Sequence, residues 1–333
     1  MTDSEDGIDP ALRRQVETAL GARFDWHPLE EGLNDIYRLT GREDTYLCKV
    51  YATEDVDLGR FRAEPRIYEL VNRETDVPGP EIIHRSLSQD PDRLSFYIME
   101  HIDGENPYER KDELSEDDLS GMLRQYGRML GSIHSNTSFD RHGVLIGNAD
   151  GLGFMDDTAN WQESLHLKIE RMQDLIQERY QDPPDLYLDA NLPQLEATLD
   201  GSFEPVLLHQ DNRLENLLVQ DDRITGFLDW SHVRAGHSEY DLARAEYLLL
   251  DWDLDDQEKE VKQRLRDSLL DGYSEEHGLD RDDAYRERRQ FYRYVTVLWL
   301  VAGFPNWSSD WSQERQKAMR QSLERRLQQE KPV

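Results

Sequence analysis

Apolar and polar positions follow two rhythms along this chain, and the change of rhythm divides it. "GLNDIYRLTG" (Gly32–Gly41) and "TYLCKVY" (Thr45–Tyr51) alternate like strands across a turn-forming break, which predicts antiparallel pairing. "RLSFYIMEHI" (Arg93–Ile102) reads as a further strand, and "DGENP" (Asp103–Pro107) then breaks the pattern as a predicted hinge. A short helix is predicted over Pro10–Leu20, with Asp9 as its N-cap and Pro10 at its first position. Another is predicted near Arg62–Asn72. Beyond the hinge the rhythm is helical: Leu119, Met122, Tyr126, Met129, Leu130 and Ile133 form one apolar stripe. Further helices are predicted over Trp161–Arg179 and near Asp241–Leu250, Asp256–Tyr273, Asp282–Ala302 and Ser312–Gln329. The expectation is an α+β chain, with a small antiparallel-sheet lobe (1–102) and a larger, mainly helical lobe (103–333). Clefts between lobes are common ligand sites.

The stretch Leu207–Gly236, "LLHQDNRLENLLVQDDRITGFLDWSHVRAG", places His209, Asp211, Asn216 and Asp229 beside strand-like apolar runs. "ENLLVQ" and "ITGFLDW" flank "DDR" as a hairpin would. Centring the turn near Asp222 and Arg223 brings Asn216 opposite Asp229, and a shift of one residue still leaves them neighbours. Opposed Cβ atoms lie about 4.5–5.5 Å apart. An amide oxygen and a carboxylate at that separation can share a hard cation such as Mg²⁺, which takes one or two protein groups plus phosphates. Asp211 falls in the loop entering the hairpin, free to accept a proton. One acid on metal and another near a hydroxyl is the division that phosphoryl transfer needs.

Composition narrows the partners. The 333 residues carry 39 Lys plus Arg against 70 Asp plus Glu, a formal charge of −31. Nucleic acid and anionic membranes are repelled as broad partners. The acids are spread over the whole chain, which favours adaptation to high salt over an acidic site for a cationic ligand. A single cysteine, Cys48, excludes a disulfide framework and makes a reducing cytoplasm the expected location. The start of the sequence is acidic and polar, unlike a secretory signal, and the apolar stretch near Tyr294–Phe304 is too short to span a bilayer. Only seven of the basic residues are lysine, and Lys49 is the sole one before Lys111.

His209-x-Asp211-x-x-x-x-Asn216, followed thirteen residues later by Asp229 in "GFLDW", resembles the catalytic and metal motifs of the aminoglycoside phosphotransferase family, relatives of choline kinases and, more distantly, protein kinases. "DWSHVRAGHSEYDLA" (Asp229–Ala243) is similar to that family's run into a Gly-x-x-x-x-Asp-Leu-Ala helix start, and "SIHS" (Ser132–Ser135) to its Leu-His helix end. The resemblance covers roughly 25–250 and implies a protein-kinase-like bilobal fold that binds ATP or GTP with Mg²⁺ and phosphorylates a hydroxyl of a small molecule. It implies Asp211 as proton acceptor, His209 as a brace of its loop, and Asn216 and Asp229 as metal ligands. Lys49 in "LCKVY" matches the strand lysine that holds the α/β-phosphates. Glu64 matches the helix glutamate that orients it, because Glu64 shares a face with Ile67 and Val71 whereas Glu69 points outward. Pro65 places Glu64 near the helix start.

Gly32 and Asn34 lie in a sparse phosphate loop whose other reading is an ordinary hairpin turn. Glu100–Ile102 resembles the segment that meets adenine. Arg213 has two readings, a neutraliser of γ-phosphate charge and a surface salt bridge. Asp241 also has two, a brace of the catalytic loop and a helix N-cap. His237 departs from the family, which commonly has an acid there. The acceptor is expected on the helical lobe, through the Gly151–Leu199 insertion and the C-terminal helices, with Trp161, Trp299, Trp307 and Trp311 as pocket or core. Two other function classes compete: a nucleotide-binding regulator, and a metal-dependent hydrolase using His209, Asp211, Asp229 and His232. The acceptor's identity and the oligomeric state are left open.

Overall fold

The computed structural model describes residues 8–29, 34–51, 57–88, 94–184, 186, 197–199 and 201–332. The chain forms two compact units. The first comprises Met1–Pro107, Leu145–Met155 and Asn216–Val233; the second comprises Tyr108–Val144, Asp156–Glu215 and Arg234–Val333.

The first unit opens with α1 (Pro10–Leu20), β1 (Asp25–Leu29), β2 (Asp35–Thr40), β3 (Thr45–Val50), α2 (Leu58–Glu74), β4 (Ile82–Ser86) and β5 (Phe96–Glu100). Its five strands form an antiparallel sheet in the order β1-β2-β3-β5-β4. The Asp9 carboxylate accepts the Ala11 N–H at 2.7 Å and starts α1; Gly21, at φ +66°, ends it. Successive strand residues face opposite sides. Cys48, Val50, Phe96 and Ile98 therefore pack with Leu12 and Val16 of α1, while Lys49 turns to the side of α2.

Helix α2 begins a turn earlier than predicted, because the Asp57 side chain caps it by accepting the Arg60 N–H at 2.9 Å. Pro65 is inside the helix rather than near its start. An interior proline costs about 3 kcal/mol. The buried face Phe61, Glu64, Ile67, Tyr68 and Val71 offsets that cost.

The hairpin of the first unit pairs Leu217–Gln220 with Arg223–Phe227. Its register differs from the sequence expectation. Asp221 and Asp222 form the turn, at φ +49° and +61°, and the pairing shifts between Ile224 and Gly226. Leu217 then faces Phe227, and the Asn216 carbonyl accepts the Leu228 N–H at 2.8 Å. Asn216 thus sits opposite Leu228, one residue short of Asp229. The turn falls at Asp221 and Asp222, one residue earlier than expected, which alone would set Asn216 opposite Phe227; the bulge at Thr225 adds a residue on one strand and recovers one of the two positions.

In the second unit α3 (Glu116–Asn136) is capped reciprocally by Ser115 and Asp118. Strands β6 (His142–Gly147) and β7 (Leu152–Thr158) follow, with 145–155 belonging to the first unit. Next come α4 (Trp161–Arg179), β8 (Val206–Leu208), a short strand Arg234–Gly236 antiparallel to β8, and α5 (Ser238–Glu246). A π-helical turn, Tyr247–Asp253, continues α5, and α6 (Lys259–His277), α7 (Asp283–Trp307) and α8 (Gln313–Gln329) complete the unit. Helices α3 and α6 meet through glycine: a Cβ at Gly127 would lie 2.1 Å from the Leu269 carbonyl oxygen. Trp161, Ile169, Tyr240, Tyr292 and Val295 are among the buried residues of one core. Beside it Glu246, fully buried, accepts hydrogen bonds from Arg266, Arg289 and Arg293. Burial alone would raise its pKa, but the guanidinium charges hold it down at about 2.

Candidate functional site

In the first unit Lys49 Nζ donates to both carboxylate oxygens of Glu64, at 2.9 and 2.8 Å. Both side chains are buried. Burial works against the ammonium, yet Glu64 and Asp229 outweigh it and hold the Lys49 pKa above its ordinary value. Strand β3 supplies the lysine and α2 the glutamate. Four residues along α2, Tyr68 shares the face of Glu64, and its hydroxyl accepts the Asp229 N–H at 3.0 Å. One helix face therefore serves two site residues. Spacing from Glu64 was the signal for Tyr68, which the sequence reading missed.

Asp229 is half-buried and takes a left-handed backbone, φ +61°. That conformation is uncommon without glycine and turns the side chain away from the strand's alternation. The Asp229 carboxylate accepts the Ser231 N–H at 3.2 Å. Burial disfavours its charge, but Lys49 first, then Ser231 and His232, hold its pKa well below the carboxylate range. The ionised carboxylate and the Asn216 amide oxygen are both hard donors, a set that suits Mg²⁺.

The loop that carries His209 and Asp211 lies in the second unit, after β8. Asp241, in the first turn of α5, accepts the His209 N–H at 2.7 Å and the Gln210 N–H at 3.0 Å, and the Asn212 side-chain amide at 2.8 Å. It braces the loop; His237 is the residue at the N-cap position of α5. Burial would raise the Asp241 pKa, but His134 and the His209 contacts bring it down to about 2. His134, from "SIHS", lies 3.5 Å from Asp241 and bonds the Tyr273 hydroxyl at 2.8 Å.

Within the loop the Asp211 N–H donates to His209 Nδ1 at 3.2 Å, so His209 works as an internal strut. Gln210 is left-handed at φ +72°, and its carbonyl accepts from Arg244 Nε. The Tyr126 hydroxyl donates to Asn212 at 2.6 Å, and the Leu214 N–H donates to Asp253 at 2.7 Å. Arg213 makes ion pairs with Asp211 at 3.2 Å and with Glu215 at 2.9 Å. Tyr126, Gln210, Asn212 and Asp253 were not singled out from sequence, because their roles depend on contacts far apart in the chain.

The remaining sequence candidates scatter. Gly32 lies outside the described residues. Asn34 precedes β2 with its side-chain amide oxygen buried and unpaired. Glu100 ends β5, and its N–H donates to the Glu81 carbonyl at 2.9 Å; Ile102 follows in irregular backbone. Trp161 is core, its Nε1 donating to the Tyr292 hydroxyl at 2.9 Å. Trp299 stacks under Arg244, and Trp307 and Trp311 pack together at 5.3 Å. His237 is buried against Phe203 and bonds the Tyr292 hydroxyl. His232 contacts Arg60 at 3.4 Å. Among the described residues no group of three or more His, Cys, Asp or Glu side chains is placed to hold a metal.

The phosphotransferase enzyme family model matches residues 25–281. The chain belongs to that family. It is therefore a kinase, a phosphotransferase with an alcohol group as acceptor. No curated protein matches it significantly. Solved structures share the fold. A candidate fructosamine-3-kinase from Haemophilus somnus 129PT is 16% identical, with a TM-score of 0.61 over 95% of this chain and 96% of that one. The gentamicin complex of APH(2″)-IIa is 17% identical, with a TM-score of 0.60 over 99% and 97%. A thermostable APH(4)-Ia mutant bound to ADP and hygromycin B is 17% identical, with a TM-score of 0.58 over 95% and 98%. The fold is kinase-like α+β, with an antiparallel-sheet N-terminal region and a helical C-terminal region. Among the described residues no helix is long and apolar enough to cross a membrane.

Proposed function

We propose that this kinase transfers the γ-phosphoryl group of ATP or GTP directly to a hydroxyl of a small molecule. The observation that carries the reading is the bracing of the Asp211 loop: Asp241 takes the N–H groups of both residues that precede Asp211. A fixed carboxylate is what a positioned proton acceptor requires. In the step, the acceptor oxygen bonds to the γ-phosphorus as the bond from phosphorus to the leaving oxygen breaks. The acceptor proton passes to Asp211, and nucleoside diphosphate departs.

Lys49, oriented by Glu64, holds the α/β-phosphates. Asn34 and the backbone N–H groups near Asp35 meet the γ-phosphate, and Glu100 and Ile102 present backbone groups to the base. Asn216 and Asp229 would hold Mg²⁺, which when bound supplies charge neutralisation on the phosphates. Arg213, tied to Asp211, adds positive charge beside the acid; His209 braces the loop.

A nucleotide-consumption screen tests the proposal, with Mg²⁺ at high salt over hydroxyl metabolites and aminoglycosides, and with Asp211→Asn as control. Turnover that depends on both an acceptor and Asp211 supports it. Turnover indifferent to Asp211→Asn refutes it, and nucleotide binding without turnover on any acceptor favours a regulator.

A further inference from the structure

In the first unit, strand β5 brings a buried hydroxyl to Lys49 and Glu64. Phe96 and Ile98 pack with α1, so Tyr97 between them points to the side of α2. Tyr97 pairs directly with Lys49 across β5 and β3, and opposed residues share one face of a sheet. Its side chain is fully buried. Its ring lies 5.5 Å from that of Phe61, which shares the buried face of α2 with Glu64. Phenylalanine would bury the same ring without a polar atom, whereas a buried tyrosine hydroxyl ordinarily has a partner.

The acceptor that the Tyr97 hydroxyl faces is Glu64. Tyr68 and Asp229 lie in the same field, but the Tyr68 hydroxyl already accepts the Asp229 N–H at 3.0 Å. Burial and then Asp229 push the Glu64 pKa up, and Lys49 and the Tyr97 hydroxyl oppose them. The Tyr97 contact falls short of full hydrogen-bond geometry, while both Glu64 oxygens accept from Lys49 Nζ, at 2.9 and 2.8 Å. An ammonium has three donors, and two of these are spent on Glu64. To hold two phosphates, Lys49 must turn a donor away from Glu64. That turn strips a buried carboxylate oxygen of its partner, which is costly. Tyr97 is placed to supply the replacement.

We propose that Tyr97 is a positioning residue for nucleotide binding: its hydroxyl takes up the Glu64 oxygen that Lys49 gives up when Lys49 engages the α/β-phosphates. This deepens the kinase reading and rests on its assignment of Lys49 to the phosphates. Tyr97 acts through Glu64 on Lys49, and not on the nucleotide itself. Its contribution therefore grows when phosphates bind and is small in the chain alone.

The test is isothermal titration calorimetry of the full chain with Mg·ADP and with adenosine, which lacks the phosphates. Tyr97→Phe keeps the ring on Phe61 and removes only the oxygen. It should weaken Mg·ADP about tenfold and leave adenosine within about twofold of wild type. The melting temperature without nucleotide should move by less than about 2 °C. In a Glu64→Gln background, Tyr97→Phe should change ADP affinity by no more than about twofold. Unchanged ADP affinity in Tyr97→Phe, an equal loss for ADP and adenosine, or the same tenfold loss in the Glu64→Gln background would each overturn the proposal. A melting temperature several degrees lower with ADP affinity intact would mark a hydroxyl of structural use only, and would overturn it too. Lys49→Met separates the two readings, since it should weaken Mg·ADP and spare adenosine. If it does so while Tyr97→Phe binds Mg·ADP like wild type, the proposal falls and the phosphate assignment stands. If Lys49→Met itself binds Mg·ADP like wild type, both fall.

Discussion

The hairpin end that carries Asn216 and Asp229 and the loop that carries Asp211 are both bent through a left-handed, non-glycine residue, Asp229 in one and Gln210 in the other. Each such residue costs on the order of 1–2 kcal/mol. They are held differently. The Asp211 loop is tied at its backbone by Asp241 on His209 and Gln210, by Arg244 on Gln210 and by Asp253 on Leu214. At the hairpin end, Tyr68 takes one N–H, and the charge of Lys49 acts on the carboxylate across space. A proton acceptor must meet one atom at one angle, so rigid backbone suits it. A metal ligand works through charge over a wider range of geometry. The difference follows the proposed roles of the two acids.

Breaking the charge side has the largest expected effect. Lys49→Met should lower kcat/KM for nucleotide turnover by about 10²–10³-fold. It should also destabilise the chain by about 3–5 kcal/mol, because Glu64 is left buried and unpaired. Lys49→Met combined with Glu64→Gln should cost less stability than the sum of the two changes in a denaturation cycle.

Breaking the backbone side comes next. Asp241→Asn keeps the shape but loses charge-assisted bonds to two N–H groups, so kcat should fall about 10–100-fold with KM for nucleotide little changed. The Asp241 pKa is depressed to about 2. Its stabilisation is therefore full above the ordinary carboxylate pKa of about 4 and is lost as pH falls towards 2. Acid unfolding followed by circular dichroism should be less steep over that window in the variant.

Asp253 sharpens the contrast with the opposite sign. Burial pushes its pKa up to about 7, and one of its oxygens is unpaired. The folded chain then prefers the neutral acid. Stability should fall as pH rises from about 4 to about 7, by on the order of 4 kcal/mol. Asp253→Asn should flatten that fall, measured as melting temperature against pH. The smallest effect is expected from Tyr68→Phe, which removes one bond to Asp229 and should lower kcat about threefold and stability by about 1 kcal/mol.

Elements with local signals were readable from sequence. The α1 bounds follow from Asp9 and Pro10, and α4 from the Trp161–Arg179 periodicity. Glu64 was readable as the partner of Lys49 because it shares the stripe of Ile67 and Val71. Elements set by pairing were harder. β1 contains Pro28 and β4 contains His84 and Arg85, so neither shows a clean alternation. The hairpin register depended on a turn at Asp221–Asp222, one residue earlier than the centre read from sequence, and on a bulge at Thr225 that no residue type announces. Pro65 misled the start of α2, because tertiary burial outweighed its local cost. The braces Gln210, Asn212 and Asp253 were invisible because each acts through partners 29 to 86 residues away.

The most direct test is nucleotide turnover titrated with Mg²⁺ in wild type, Asp211→Asn and Asp229→Asn. Asp211→Asn should keep the half-saturating Mg²⁺ concentration within about twofold while kcat falls about 10³-fold. Asp229→Asn should instead raise the Mg²⁺ requirement at least tenfold. A shared shift in Mg²⁺ requirement for both variants, or an Asp211→Asn enzyme that turns over like wild type, would contradict the division of labour between the two loops.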